Sequence, residues 1–324
     1  MTKALGLFSG GLDSILATAI IREQGISVVV VNFKTPVFGP EKAIKSAQLL
    51  NIPLKIVDIT SPFLEILRNP EHGYGSFMNP CIDCHILMLQ EAGKIMEGEG
   101  FDFIFTGEVL GQRPMSQNKG TLKLIARKSG YHAHLLRPLS AKLLPETIPE
   151  KMGQVDRDSL LDISGRSRKR QMALAQRLGI SEYPTPSGGC LLTDPGFSRR
   201  LKDLLQYLVN VDNQDIELLK WGRHLRLDKD TKLIIGRNKK ENDAIHGLSK
   251  PQDQVLKTLN VPGPAVLIPC GTHLQNQKLA ATICASYSDA LEGTPVRVMV
   301  TQNHISTIIS TKAVDKRSFK NLLI

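Results

Sequence analysis

Ser9-Gly10-Gly11-Leu12-Asp13-Ser14 lies between a short apolar run (residues 4–8) and a helical pattern (residues 14–24), and its reading decides the fold. Glycine lets a backbone turn tightly and approach an anion without Cβ clashes. A helix that starts directly afterwards presents free N–H groups and the positive end of its dipole. Ser9 and Ser14 add hydroxyl donors. The spacing is neither G-x-G-x-x-G nor G-x-x-x-x-G-K-[ST], so it indicates neither a dinucleotide fold nor a Walker nucleotidase. The alternative is a plain glycine-rich turn with an Asp/Ser helix cap, but its position at the first strand–helix junction favours an anion site.

Outward from this loop, strand and helix patterns alternate. Residues 27–33 (Ser-Val-Val-Val-Val-Asn-Phe) are β-branched and apolar almost throughout, as a strand buried on both faces should be. Residues 40–50 read as a helix and 54–59 as a third strand, followed by a Pro-, Gly- and Asn-rich loop at 69–80. Residues 87–97 read as a helix, 101–106 as a fourth strand and 134–139 as a fifth. Repeated βα units predict a doubly wound parallel sheet with right-handed crossovers. From about Leu144 the pattern becomes α+β. It comprises a basic helical stretch at 158–178, a loop at 183–190, an amphipathic helix at 198–209, and short strands at 232–236, 265–269, 297–302 and 306–310. The fold class is therefore α/β with a second, basic α+β domain. Its divisions are expected at 1–150, at a connecting segment 151–210, and at 211–324.

The 324 residues and 41% hydrophobic content suit about two domains of ordinary globular composition. No apolar run approaches a membrane span, no signal peptide is visible, and five cysteines fit a reducing cytoplasm better than a disulfide framework. Residues 1–150 hold 15 Lys+Arg and 14 Asp+Glu, a net of +1; residues 151–324 hold 26 and 17, a net of +9. A basic half beside a neutral half suggests a polyanion-binding surface next to a catalytic core; a solubility surplus is the bland alternative. The oligomeric state, monomer or homodimer, is left open.

Cys81-Ile82-Asp83-Cys84 precedes the fourth strand, and Cys190 ends a Ser-Gly-Gly turn. A C-x-x-C pair without a second pair leaves several readings: an iron–sulfur site, a redox dithiol, inert thiols, or zinc recruiting His85 and Cys190. Cys270 and Cys284 read as structural.

These motifs carry a resemblance. Ser-Gly-Gly-x-Asp-Ser after the first strand resembles the signature of the PP-loop ATP pyrophosphatases, which split ATP between the α and β phosphates and pass AMP to a substrate oxygen. The resemblance implies ATP and Mg²⁺ as cofactors, with Ser9, Gly10, Gly11, Asp13 and Ser14 at the pyrophosphate and Asn32 facing the adenine. Thr106-Gly107-Glu108-Val109-Leu110-Gly111-Gln112 and Arg137-Pro138-Leu139 are similar to elements of the tRNA 4-thiouridine synthetases of the ThiI type, and this adds Gly107 and Gln112 to the nucleotide site. Among the PP-loop tRNA thiolation enzymes, one type carries a C-x-x-C plus a distant third cysteine, which hold a [4Fe-4S] cluster through three thiolates and leave one iron open for sulfide. Cys81, Cys84 and Cys190 match that arrangement, with zinc as the less favoured metal. The chain shows no THUMP-type or rhodanese domain, which departs from the pattern.

Leu233-Ile234-Ile235-Gly236-Arg237-Asn238-Lys239-Lys240-Glu241-Asn242-Asp243 resembles the G-R-N-x-x-x-N-D core of the RNA-binding NFACT-R module. Arg237, Asn238, Lys239 and Lys240 are then candidate RNA contacts, together with the run Arg166, Arg168, Lys169 and Arg170. Aromatics make up only 5% of the chain, which argues against extensive base stacking. The expected function is ATP-dependent thiolation of tRNA or another RNA, with free sulfide or a carrier protein as sulfur donor. A PP-loop enzyme sulfurating or amidating a non-RNA substrate, and an RNA-binding protein with a vestigial nucleotide site, are the alternatives.

Overall fold

Strand β1 (Lys3–Leu7) runs parallel to β2 (Ser27–Lys34) on one side and to β4 (Phe103–Thr106) on the other. With β3 (Leu54–Asp58) and β5 (Leu135–Leu136) this gives a parallel sheet of order β3-β2-β1-β4-β5. The structure, a computed structural model, describes residues 1–184 and 190–324. Leu5, Val30, Val31, Phe103 and Ile104 are buried because helices cover the sheet: α1 (Leu12–Glu23), α2 (Glu41–Leu49), α3 (Thr60–Arg68), α4 (Cys81–Glu99), α5 (Lys119–Ser129), the single turn α6 (Ile148–Lys151) and α7 (Lys169–Arg177). The chain leaves β1 toward β2 and β3, then returns to the other flank of β1 for β4. The carboxyl ends of β1 and β4 therefore flank a topological switch point, the place where such sheets bind ligands.

The second unit contains α8 (Pro195–Tyr207), α9 (Asn213–Leu218), β6 (Arg223–Arg226), β7 (Lys232–Ile235), α10 (Lys239–Gly247), β8 (Gln254–Thr258), β9 (Val266–Ile268), α11 (Leu274–Ser286), β10 (Pro295–Gln302) and β11 (Ile305–Lys312). Its strands pair antiparallel in the order β11-β10-β8-β9-β7-β6. Asn303 and His304, both at positive φ, close a two-residue hairpin between β10 and β11. Ala280, Ala281, Cys284 and Ala285 on α11 pack against Leu256, Val296, Val298 and Val300 on one face of the sheet. Leu218 and Ile245 cover Ile234 and Leu267 on the other.

The α/β class, with a parallel sheet and a second α+β unit, is as the sequence predicts. Several local expectations need correction. The two units divide at 193/194, earlier than expected. Helix α8 belongs to the second unit because Asp203 is bonded to Arg226 and Lys232 of its sheet, while Arg200 donates to the Gly222 carbonyl. Of the expected helix at 158–178, only Lys169–Arg177 is helical. Leu161 and Ile163 instead donate backbone bonds to Pro138 and Leu139, and Gly165 at φ 84° interrupts the chain before the helix starts. Helix α4 begins at Cys81, six residues before the predicted 87, so the C-x-x-C pair is helical. Helices α3 and α5 and strands β6 and β8 have no counterpart in the sequence reading. Residues 185–189 of the expected 183–190 loop lie outside the described residues.

Candidate functional site

The loop after β1 has the geometry of an anion cradle. Gly10 sits at φ 71°, and a Cβ there would lie 2.4 Å from the Lys42 carbonyl oxygen. That carbon would collide with the start of α2, so only glycine fits. Ser46 Oγ donates to the Gly10 carbonyl at 2.9 Å and pins the turn. Ser9 and Ser14 hydroxyls lie 3.3 Å apart, and Gly11 N–H donates to Ser9 Oγ. Helix α1 has Gly11 as N-cap with no side-chain cap among the described residues, which leaves its first N–H groups available to a ligand.

The turn after β4 closes on this loop. A Cβ on Gly107 would lie 2.5 Å from Ser14 N, so the two backbones are in direct contact. Gln112 Nε2 donates to Asp13 Oδ2 at 2.9 Å. Asn32 Nδ2 donates to the Phe8 carbonyl at 2.8 Å. Among the described residues, Asp13 Oδ1, Asn32 Oδ1 and Gln112 Oε1 are buried without a hydrogen-bond partner. Unsatisfied buried acceptors are costly, and these three belong to residues converging on one loop. A carboxylate oxygen is a hard ligand suited to Mg²⁺, and amide oxygens accept from a base amino group, so the residues present fit a metal–nucleotide.

The same turn reaches the cysteines. Glu108 is buried, accepts from Arg137 Nε at 2.8 Å and Thr106 Oγ1 at 3.1 Å, and contacts His85 Nδ1 at 3.0 Å. Burial opposes its charge, but Arg137 and His85 outweigh it and hold the carboxyl at about 2. His85, one helical turn beyond Cys81, is raised despite burial by hydrogen bonds to Cys81 and Glu108. Burial pushes Cys81 up, yet the His85 hydrogen bond and charge, with help from Ser116 and Arg113, leave it below an ordinary thiol. Cys84 is pushed well above by burial and by the charges of Cys190 and Cys81, and burial also raises Cys190. The three sulfurs thus sense one another electrostatically. Among the described residues, the one trio of potential ligand atoms mutually within 4.8 Å is Glu71, His72 and Asp83. At least one pair among the Cys81, Cys84 and Cys190 sulfurs therefore lies more than 4.8 Å apart. Three thiol sulfurs are a soft donor set that fits zinc and iron–sulfur groups alike.

Sequence reasoning weighed His85 only as a zinc ligand and quoted Glu108 only within a motif. The signal was present: Cys81 and His85 stand four residues apart, on one helix face. Cys284 is buried, whereas Cys270, expected to be structural, is exposed at φ 61°.

The basic candidates divide. Arg166 and Lys169 are exposed, Arg168 is the N-cap of α7, and Arg170 bonds to Asp162. In the second unit, Arg237 is forked onto Glu241, and Asn238 caps α10 through Glu241 N–H. Asn242 Oδ1 accepts from Ala265 N–H and lies where a Gly236 Cβ would be. The G-R-N-x-x-x-N-D segment thus spends its polar groups on its own strand–turn–helix junction, leaving Lys239 and Lys240 exposed.

Comparison with known proteins agrees with the motif resemblance. Residues 1–143 match the family model described as thiamine biosynthesis protein (ThiI), and residues 222–322 that of the NFACT protein RNA binding domain. A tRNA-specific 2-thiouridylase MnmA of Caldicellulosiruptor saccharolyticus is 24% identical over 61% of this chain and 58% of its own length. A probable tRNA sulfurtransferase of Lactobacillus helveticus is 34% identical over 34% of this chain and 28% of its own length. The chain thus spans just over half of the first relative and about a quarter of the second. A crystal structure of a 4-thiouridine synthetase–RNA complex with bound ATP superposes with a TM-score of 0.36 at 22% identity, covering 55% of this chain and 52% of that chain. The chain joins a ThiI-like PP-loop unit to an NFACT-R-like unit.

Proposed function

We propose that this chain is an ATP-dependent tRNA sulfurtransferase that converts a uridine to 4-thiouridine. One observation carries the reading: residues 106–112 serve two sites at once. Gly107 and Gln112 press on the phosphate loop, while Glu108, between them, holds His85 against Cys81. Activation and sulfur delivery would then share one short turn, whose residues contact both the loop after β1 and the His85–Cys81 pair. The family models and the thiolation enzymes among its relatives support the same chemistry.

In the first step the uridine O4 attacks the α-phosphorus of ATP, the bond to the β-phosphate oxygen breaks, and pyrophosphate leaves with the electron pair. The N-terminal N–H groups of α1, Ser9 and Ser14 stabilise that developing charge. Mg²⁺, bound by Asp13, would neutralise the leaving group. Gln112 holds Asp13 in place, and Asn32 orients the adenine. In the second step a sulfur nucleophile adds at the activated carbon, and AMP leaves with the bonding pair. A [4Fe-4S] cluster bound by Cys81, Cys84 and Cys190 would supply that sulfur at an open iron, whether free sulfide or a carrier protein delivers it. His85, held by Glu108, favours the Cys81 thiolate, the form that ligates a metal.

Mass spectrometry of nucleosides tests the proposal, using tRNA incubated with ATP, Mg²⁺, sulfide and anaerobically reconstituted protein. 4-Thiouridine with stoichiometric AMP is expected. 2-Thiouridine would redirect the assignment, and AMP formation dependent on a small molecule without RNA would sink it.

A further inference from the structure

On the sheet face opposite α11, β10, β11 and the Lys257 end of β8 are open, beside Leu218, Trp221, Ile245 and Leu248, which pack over Ile234, Leu267 and Val255. Lys257, Arg297 and Lys312 are exposed on it and, among the described residues, make no ion pair. Register puts them on one face. Lys257 pairs with Met299, Arg297 with Ser310 and Lys312 with Pro295, while Val296, Val298 and Val300 point to the α11 side. Arg297 is two residues from Met299 and two from Pro295, so the three cations form a diagonal across three strands. Same-face diagonal neighbours lie about 7–8 Å apart, within reach of long side chains. No Asp or Glu occurs in β8, β10 or β11. The rest of the open area is Met299, Ile308, Thr301, Ser306 and Ser310, none of them aromatic; Trp221 is half-buried at its edge, in the cluster that packs on Val255.

We infer that this open sheet face is the RNA-docking surface of the second unit, with the backbone phosphates of tRNA laid along Lys257, Arg297 and Lys312. The inference rests on the RNA-thiolation reading and relocates its RNA contact. The Gly236–Asp243 segment is occupied with internal bonds, with Arg237 on Glu241 and Asn238 on its own helix. An open face with cations and no carboxylate is complementary to a polyanion. The hydroxyls of Thr301, Ser306 and Ser310 suit phosphate and ribose oxygens. Without aromatic platforms the surface offers no base stacking, so it holds RNA by charge with little preference among sequences.

The test is the salt dependence of binding to unfractionated tRNA, followed by fluorescence anisotropy. Lys257→Ala/Arg297→Ala/Lys312→Ala is compared with Lys239→Ala/Lys240→Ala. At about 0.7 per lost single-strand contact, the triple variant should flatten the log–log slope by about 2, while the control changes it by less than about 1. In the unaltered protein, tRNA should shield Lys257 and Lys312 from an acylating reagent, a readout independent of variant folding. An unchanged slope, or shielding confined to Lys239 and Lys240, overturns the placement while leaving the thiolation reading intact. Absence of tRNA binding by the unaltered protein overturns both. A sedimentation shift showing two copies paired through this face, with the lysines shielded before RNA is added, also overturns the placement.

Discussion

Gln112 and Asp13 stand 99 residues apart in sequence, and the amide of one donates to the carboxylate of the other at 2.9 Å. The bond exists because β1 and β4 are neighbours at the switch point, so the turns leaving them face each other. Among the described residues it leaves Asp13 Oδ1 buried and without a partner, which is the oxygen a cation would take.

Asp13→Ala should abolish AMP formation and leave tRNA affinity nearly unchanged, since the proposal gives Asp13 the Mg²⁺ and pyrophosphate end of the site and no RNA contact. Gln112→Ala should be milder. A hydrogen bond to a charged group contributes about 1.5–3 kcal/mol, equivalent to roughly 10- to 150-fold in rate if lost from the transition state. Chromatography of labelled ATP products, beside filter binding of tRNA, separates the two effects. Turnover by Asp13→Ala at the native rate would remove the PP-loop assignment.

Gly10→Ala should lose nucleotide binding and stability together. The left-handed conformation alone costs a non-glycine residue about 1–2 kcal/mol, and the new carbon must also displace the Lys42 carbonyl. A lowered Tm with loss of the ATP-induced Tm rise is expected; an intact ligand shift would show that the loop does not hold the phosphates.

The parallel sheet and the glycine turn after β1 were legible because they are local: apolar β-branched runs and a glycine turn announce themselves within six to eight residues. The partners of that loop were legible only through motif resemblance, since no periodicity joins Gly107 or Gln112 to Asp13 across about a hundred residues. The Asp203 anchor that assigns α8 to the second unit, and the internal use of Arg237, were invisible for the same reason. A charge in sequence carries no label for whether it is solvated or already bonded, and Glu241 answers that only once α10 is folded.

The thiol site predicts an order of reactivity in metal-free protein. Cys81, lowered by His85, should be alkylated first and at lower pH than Cys84, whose thiol is raised by burial. Glu108→Gln removes a carboxylate that supports the His85 charge, so the Cys81 profile should move to higher pH. The same carboxyl ties stability to pH. Its folded value, about 2, lies below the ordinary 4.5, so its contribution is complete above 4.5 and is lost as pH falls toward 2. Mass-spectrometric mapping of labelled cysteines against pH checks the order, and equal rates at Cys81 and Cys84 would refute it.

In the second unit, Asn238→Ala should cost about 1 kcal/mol as a lost helix cap and leave the salt dependence of tRNA binding unchanged. Arg237→Ala should cost less than about 0.5 kcal/mol, because its ion pair with Glu241 is half-exposed. Urea titration and anisotropy on the same variants distinguish a structural motif from an RNA contact. A slope that falls by about 0.7 for Arg237→Ala, or a loss of tRNA affinity for Asn238→Ala, with stability intact, would return the contact to this segment.

Cysteine replacement gives the sharpest separation of the two chemical steps. Anaerobically reconstituted protein should bind about four irons per chain, with Cys81, Cys84 and Cys190 as protein ligands. Three ligands rather than four is the essential feature, because an open iron is where an exogenous sulfur can bind. Serine at any of the three should abolish thiouridine formation while RNA-dependent AMP formation persists, since the phosphate loop draws on Asp13, Asn32 and Gln112 and on no sulfur. Cys270→Ser should be silent, its thiol being exposed. Cys284→Ser should keep both steps with a loss of stability, because a buried hydroxyl replaces a sulfur packed on α11. Stoichiometric zinc without iron under strict anaerobiosis would overturn the cluster. So would a disulfide among Cys81, Cys84 and Cys190 formed at each turnover, which would make sulfur arrive as a persulfide. Inactivation by air that iron and sulfide reverse, but a dithiol alone does not, is the expected pattern.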